Sequence, residues 1–274
     1  MVSDTNGRGD VFVRDLPAGV TERISIDSAG AQAKKRSGNA AISQEGFAVA
    51  FESLATNLVD ADTNAKSDAF VRERPRPTVG QDVSVVPTRG KVLISLPPKK
   101  GARSSAAVPG IKGRKFVSLT TVQRLPVGSL VDVRKGALKL TSARNSKGAS
   151  QTAEFSAGVF QVLQSRKRSS RGLTELRLKG SSFASCATGK SRGAQAQASR
   201  RRRIRRLSGN GNGRFRTRGR HSAATVRGTK WTVTDRCDGT LTTVKRGKVS
   251  VRDFRRRKTI VVRAGKRYLA KARR

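Results

Sequence analysis

The chain has 274 residues and a formal net charge of +41, from 59 Lys and Arg against 18 Asp and Glu. An excess of this size repels itself when compact and attracts polyanions, so it speaks to partners and not to fold. No run approaches the roughly 18–20 apolar residues that cross a bilayer as a helix, and the polar start Met1–Asn6 has no apolar signal segment, which leaves either a cytoplasmic protein or one whose true beginning, with a signal peptide, lies upstream.

The charge is unevenly placed. Residues 1–84 hold 10 Lys/Arg against 12 Asp/Glu, and residues 85–274 hold 49 against 6, which implies two modules meeting near residue 85. Period-2 alternation of Val, Ile, Phe and Thr, punctuated by Gly, predicts strands over 10–15, 21–26, 47–53 and 68–74 in the first module. Residues 75–80, with Pro75 and Pro77, read as a linker, and 97–113, rich in Lys, Ser, Pro and Gly, as a loop. In the second module strands are expected over 91–96, 115–122, 129–133, 137–141, 158–163 and 174–178. The clearest set follows, over 225–227, 230–234, 240–245, 248–253, 259–263 and 267–270. Turn chemistry marks Pro17-Ala18-Gly19, Asn145-Ser146-Lys147-Gly148, Asp238-Gly239 and Ala264-Gly265-Lys266. One short helix is expected near 194–204. The fold class is therefore all-β.

A repeat stands out at the N-terminus. Asp4-Thr5-Asn6-Gly7-Arg8-Gly9-Asp10-Val11-Phe12-Val13-Arg14-Asp15 recurs 58 residues later as Asp62-Thr63-Asn64-Ala65-Lys66-Ser67-Asp68-Ala69-Phe70-Val71-Arg72-Glu73. With Thr21-Glu22-Arg23-Ile24-Ser25-Ile26 and Gly46-Phe47-Ala48-Val49-Ala50-Phe51-Glu52-Ser53, this pattern resembles the blades of TolB-like β-propellers, with Gln44-Glu45 where such blades usually turn on Asp-Gly. One blade and part of another cannot close a propeller, because repeat architectures need about three units. The segment 1–74 is therefore expected to be a truncated piece of a longer array.

The C-terminal run Gly228-Thr229-Lys230-Trp231-Thr232-Val233, Asp238-Gly239-Thr240, Gly247-Lys248-Val249-Ser250-Val251 and Thr259-Ile260-Val261-Val262-Arg263-Ala264-Gly265 resembles FecR-like domains. So does Val127-Gly128-Ser129-Leu130-Val131-Asp132-Val133 upstream. The resemblance implies a β-sandwich or roll over 114–274 with a basic insertion at about 145–220, after a linker and flexible loop at 75–113. It also implies an extracytoplasmic setting and no catalysis.

Cys186 and Cys237 are read either as a disulfide closing a loop of about 50 residues, worth about 3–4 kcal/mol, or as two unrelated thiols. The compartment implied by the FecR-like resemblance favours the disulfide. Asp4, Asn6 and Asp10, like Asp62, Asn64 and Asp68, have calcium-loop spacing, but Arg8 and Lys66 intrude, so turn capping is expected and no metal or cofactor. His221, the sole histidine, lies among cations with no nucleophile motif and reads as a surface residue, so an enzyme is not expected. The candidates for gripping a polyanion are Arg200, Arg201, Arg202, Arg203, Arg205 and Arg206, then Arg214, Arg216, Arg218 and Arg220 in a Gly-rich stretch that also reads as a β-hairpin with a solvated basic turn. Phe215 is the only aromatic of that stretch, and Trp231 sits in a strand pattern that favours the core. The expected function is a non-catalytic extracytoplasmic binding or structural protein engaging an anionic polymer or envelope component. The alternative is an intracellular nucleic-acid-binding protein acting through the basic module.

Overall fold

A computed structural model describes residues 4–15, 20–43, 46–74, 77–98, 111, 114–120, 122–147, 149–186 and 201–272. The chain divides into two compact units, Met1–Arg76 and Pro77–Arg274, a boundary close to the expected change in charge. The described residues form β-strands and two short 3-10 turns, so the protein is all-β.

The first unit contains β1 (Phe12–Asp15), β2 (Val20–Arg23), β3 (Ser37–Ile42), β4 (Ala48–Ser53) and β5 (Asp68–Glu73). β1 pairs with β2, and β3–β4–β5 form a separate antiparallel sheet. Alternation in β4 buries Val49, Phe51 and Ser53 and exposes Ala50 and Glu52. Phe51 and Phe70 stack at 5.6 Å beside Val11, Ile24, Ala33, Ala55 and Leu58.

The internal repeat has a local structural basis. Asn6 Oδ1 accepts the Arg8 N–H at 2.7 Å, and Asn64 Oδ1 accepts the Lys66 N–H at 2.8 Å. The intervening Gly7 and Ala65 both have positive φ, at 60° and 54°. Asp4 Oδ1 accepts the N–H groups of Asn6 and Gly7. These carboxylate and amide oxygens close turns that feed β1 and β5. Asn6 also donates to the Ala33 carbonyl, so Asn6→Ala removes two bonds and is expected to cost the first unit about 1–2 kcal/mol, measured by chemical denaturation. An unchanged midpoint would mean that the turn forms without its side-chain cap.

The second unit contains β6 (Asp82–Ser95), β7 (Val117–Ser118), β8 (Gln123–Pro126), β9 (Leu130–Ala143), β10 (Ser150–Ser156), β11 (Val159–Gln164), β12 (Thr174–Lys179), β13 (Arg203–Asn212), β14 (Phe215–Arg218), β15 (Ser222–Val226), β16 (Thr229–Arg236), β17 (Gly239–Arg246), β18 (Lys248–Asp253), β19 (Thr259–Arg263) and β20 (Arg267–Lys271). They form one sheet with the path β19-β18-β15-β14-β12-β11-β9-β10-β13-β16-β17-β20, and β6 runs along β9 and also pairs with β7 and β8. Because β19 and β20 are joined by the turn at Ala264–Lys266, the two ends of the path meet in the chain and the sheet nearly closes, like a barrel. β9 is the corner. On one edge it pairs with β11 at Leu130–Asp132 and then with β10 at Ala137–Ala143. On the other edge it follows β6, whose register shifts on either side of Gly90, opposite Gly136.

Several expectations change here. The strand expected over 91–96 is the second half of a longer core strand, 82–95, whose first half falls in the stretch expected to be linker, and which buries Val83, Val85, Val92 and Ile94. Its alternation is interrupted at the bend, which hides it from a periodicity search. Strands 129–133 and 137–141 are one bent strand. The expected insertion at 145–220 supplies β10 to β14 and three of the four aromatic side chains at the centre. Phe155 packs against Phe160, Phe215 and Trp231 with centroids 5.6–6.0 Å apart, and the Trp231 Nε1–H donates to Thr217 Oγ1 at 3.0 Å. The Gly-rich stretch is therefore not a flexible basic segment. Its glycines pack closely: a Cβ on Gly209 would lie 2.5 Å from the Trp231 ring, and one on Gly211 2.5 Å from Ala153. Of the expected helix, residues 194–200 lie outside the described residues, and Arg203 and Ile204 open β13. The turn at Asn145 forms as expected, its Oδ1 accepting the N–H groups of Lys147 and Ala149. Gly148 and Pro17-Ala18-Gly19 lie outside the described residues, as do 99–110 of the expected loop.

Candidate functional site

Cys186 and Cys237 form a disulfide with Cα atoms 5.3 Å apart. It ties the 3-10 turn Phe183–Cys186, beyond β12, to the turn between β16 and β17. This cross-link forms one wall of a cleft of about 530 Å³, whose other walls include Phe183, Arg220, His221, Phe254, Arg255 and Lys271. The cleft is built from parts far apart in sequence. Phe183 comes from the turn after β12, Arg220 and His221 from the link between β14 and β15, and Phe254 and Arg255 from the turn after β18. Lys271 ends β20.

Arginines pack on both phenyl rings. The guanidinium carbons of Arg220 and Arg205 lie 4.4 and 4.9 Å from the Phe183 centroid, and that of Arg218 lies 5.0 Å from the Phe254 centroid. Each contact fixes a flexible cation at little electrostatic cost. The backbone beneath is fixed as well. Asp235 is fully buried, and its Oδ1 accepts the Arg220 N–H at 2.9 Å and the Thr240 hydroxyl at 2.6 Å. Thr240 Oγ1 accepts the His221 N–H at 3.0 Å. Gly219 makes this approach possible, since a Cβ there would lie 2.4 Å from Asp235 Oδ1. His221 is not a surface histidine: burial and the neighbouring Arg220 charge push its pKa down, against the opposing pull of Asp235 and Asp253.

Two smaller clefts adjoin this one, the first reached through the stacking of Arg205 on Phe183 and the second through a shared residue, Arg206. Arg205 stacks on Phe183 and also lines a cleft of about 300 Å³ with Arg134, Lys179, Arg203 and Arg206. Arg206 in turn lines a cleft of about 150 Å³ with Arg89, Lys230 and Lys245. A shift of register between Arg203 and Arg205 accompanies the presence of Arg203, Arg205 and Arg206 in one cleft. Arg205 is held there by bonds to the carbonyls of Ser181 and Leu178. Burial pushes the Lys179 pKa down, and the charges of Arg177, Arg205 and Arg114 push it further, so an anion in this cleft would relieve an existing repulsion.

The acidic residues neutralise little of this surface: Asp132 pairs with Arg134, and Glu154 lines the smallest cleft. All seven Asp and Glu residues after position 76 already have partners. Asp82, Asp132 and Asp238 bind Arg124, Arg134 and Arg236. Glu154 accepts from Thr88 and Glu175 from Arg177. Asp235 holds the loop described above, and Asp253 accepts from Tyr268.

The ten candidate arginines are dispersed by the fold. Arg203, Arg205, Arg206 and Arg220 belong to the linked clefts. Arg216 and Arg218 lie 3.7 and 4.0 Å from Glu175. Arg214 sits instead in the field of Arg227, Arg171 and Arg144. Arg201 and Arg202 are exposed, and Arg200 lies outside the described residues. Conversely, Lys179, Arg255 and Lys271 were missed. The available signal was an isolated phenylalanine next to cations at a strand end, as in Phe254-Arg255-Arg256-Arg257.

Among the described residues, no helix is long and apolar enough to cross a membrane, and no group of three or more His, Cys, Asp or Glu could hold a metal ion. No family model, curated protein or solved structure matches this chain.

Proposed function

We propose that the protein is a non-catalytic binding protein whose second unit holds an anionic polymer along the three linked clefts, in an oxidising, extracytoplasmic compartment. The observation that carries this reading is the cationic track from Lys271 to Lys245, in which Arg205 and Arg220 are fixed by stacking on Phe183 and in which cations far outnumber the carboxylates, Asp132 beside Arg134 and Glu154 in the smallest cleft. The disulfide supports the compartment. The first unit, with its two copies of a blade-like turn and strand, fits a piece of a TolB-like array, and the strands of the second fit a FecR-like module; both assignments belong to this proposal. An envelope component is favoured over nucleic acid because the track has only two phenyl rings, each already covered by arginine. Neither offers the open stacking platform on which single-stranded nucleic acid depends.

The test is binding to a soluble anionic envelope polymer and to duplex DNA across a salt series. The polymer is expected to bind with an affinity that falls steeply with salt, and Arg206→Ala combined with Lys245→Ala should flatten the log–log slope by about 1–2 units. Sequence-dependent DNA binding, or a slope untouched by the double variant, would overturn the reading.

A further inference from the structure

We propose that the cleft walled by Cys186–Cys237 is a discrete site for the phosphomonoester end of an anionic chain, with Arg220, Arg255 and Lys271 holding the terminal group. The inference rests on reading the linked clefts as an anion-binding surface and goes further, because it assigns the cleft beside the disulfide to the end of the polymer and not to its length.

Three features separate this cleft from the rest of the track. It gathers three cations and no carboxylate beside the Phe183 and Phe254 rings, whereas neither smaller cleft has a phenyl ring in its walls. A group with two negative charges and several oxygens uses such a cluster better than a single carboxylate does, because guanidinium groups meet oxyanions through paired N–H donors. Arg220 is also preorganised twice, through its backbone by buried Asp235 and through its side chain by Phe183, so little ordering cost remains on binding. Finally, a volume of about 530 Å³ far exceeds one phosphate and lies within the range of ligand pockets. The surplus space accommodates the first residue of the attached chain, and the shared stacking of Arg205 and Arg220 on Phe183 leads from it towards the neighbouring cleft.

The disulfide is part of the site. Phe183 belongs to the four-residue turn that ends at Cys186, and the cross-link to Cys237 keeps that turn beside Arg220. His221, the only histidine, reports on the cleft. It lies in the field of Arg220, Asp235 and Asp253 and shares the walls with Arg255 and Lys271. A bound dianion favours its charged form, so its depressed pKa rises on binding, and binding tightens as pH falls through that value.

The experiment uses the full oxidised chain and two probes at constant ionic strength. Inorganic pyrophosphate tests the charged group. A short oligomer ending in a phosphomonoester, compared with the same oligomer after phosphatase treatment, tests the chain end. Calorimetry is expected to give one site per chain for pyrophosphate, and the His221 ring resonances should titrate at higher pH in its presence. Arg220→Ala should weaken binding by roughly tenfold or more, the loss expected from one charge-assisted hydrogen bond. Lys248→Ala, which removes an exposed charge outside the clefts, should leave it unchanged. The phosphorylated oligomer should bind more tightly than its treated counterpart.

Equal loss in Lys248→Ala and Arg220→Ala, or a His221 titration shifted no more by pyrophosphate than by chloride, overturns the site. Equal binding of the two oligomers overturns the chain-end assignment and leaves free phosphate or pyrophosphate as the ligand. If the envelope polymer binds while pyrophosphate does not, the discrete site fails and the polymer reading survives. If neither binds, both fail.

Discussion

Replacing Cys186 and Cys237 together by serine lowers the stability of the second unit by about 4 kcal/mol, the chain-entropy value for a cross-link between residues 51 apart in sequence. The loss is large because little else opposes opening at this end of the sheet. The cations there outnumber the carboxylates, and the self-repulsion of a unit with 49 Lys and Arg against 7 Asp and Glu favours expansion. Trp231 makes the measurement specific. It is the only tryptophan and is buried in the second unit's core, so its fluorescence in a urea titration follows that unit alone. The oxidised protein and the double variant are expected to differ in midpoint at every salt concentration, and both midpoints should rise with salt as repulsion is screened. Identical midpoints would show that the cross-link restrains nothing that matters to folding. Salt thus acts in opposite directions on the two properties, strengthening the fold and weakening polymer binding.

The β6–β9 corner and the aromatic centre show where sequence reading succeeded and where it stopped. Lys248–Asp253 and Thr259–Arg263 were legible to the residue because each is a simple alternation between turns. Trp231 and the cysteine pair were legible because a tryptophan in a strand pattern and two lone cysteines have few alternatives. β9 was cut in two at Arg134-Lys135-Gly136 because alternation stops there, although the strand continues through the bend. The Arg- and Gly-rich composition of β13 and β14 reads as a hairpin with a solvated basic turn or as flexible basic chain, whereas the two strands pair with others and not with each other. Their glycines are required by Trp231 and Ala153 on other strands, a requirement that exists only once those strands are paired. The same holds for the cleft beside the disulfide. Lys271 is an ordinary terminal lysine until β20 returns beside β17, and Asp235 is an ordinary strand aspartate until Gly219 and Thr240 close over it. Charge was visible in composition, but its arrangement into clefts is a tertiary property.

The sharp turn between β10 and β11 offers a second large effect, and its two residues should respond in opposite ways. At this turn Ala157 donates its N–H to the Val133 carbonyl, and the Gly158 carbonyl accepts the Val133 N–H, at 2.9 and 2.8 Å. This pins the turn where β9 changes partner. Gly158 does not need an unusual φ; it needs space. A Cβ on Gly158 would lie 1.8 Å from the Arg206 carbonyl oxygen and 2.9 Å from its carbon. That contact is with backbone and not with the tip of a side chain that could swing away. β13 cannot yield either, since Ser208 is paired with Ser156 on one side and Leu207 with Val233 on the other. Gly158→Ala is therefore expected to cost more than about 3 kcal/mol, the upper end for overpacking. It should also weaken polymer binding, because Arg206 lines two of the three clefts and moves with its own carbonyl. Ala157 is the opposite case, a residue with a side chain at φ 66°. Ala157→Gly relieves about 1–2 kcal/mol of left-handed strain but adds about 0.5–1 kcal/mol of unfolded-state entropy, for a net gain of up to roughly 1 kcal/mol. Urea titrations followed by Trp231 fluorescence separate the two. A Gly158→Ala midpoint equal to that of the parent would mean that β10 and β13 do not meet as closely as this corner requires, and Arg205 and Arg206 would then no longer be held between the clefts they connect.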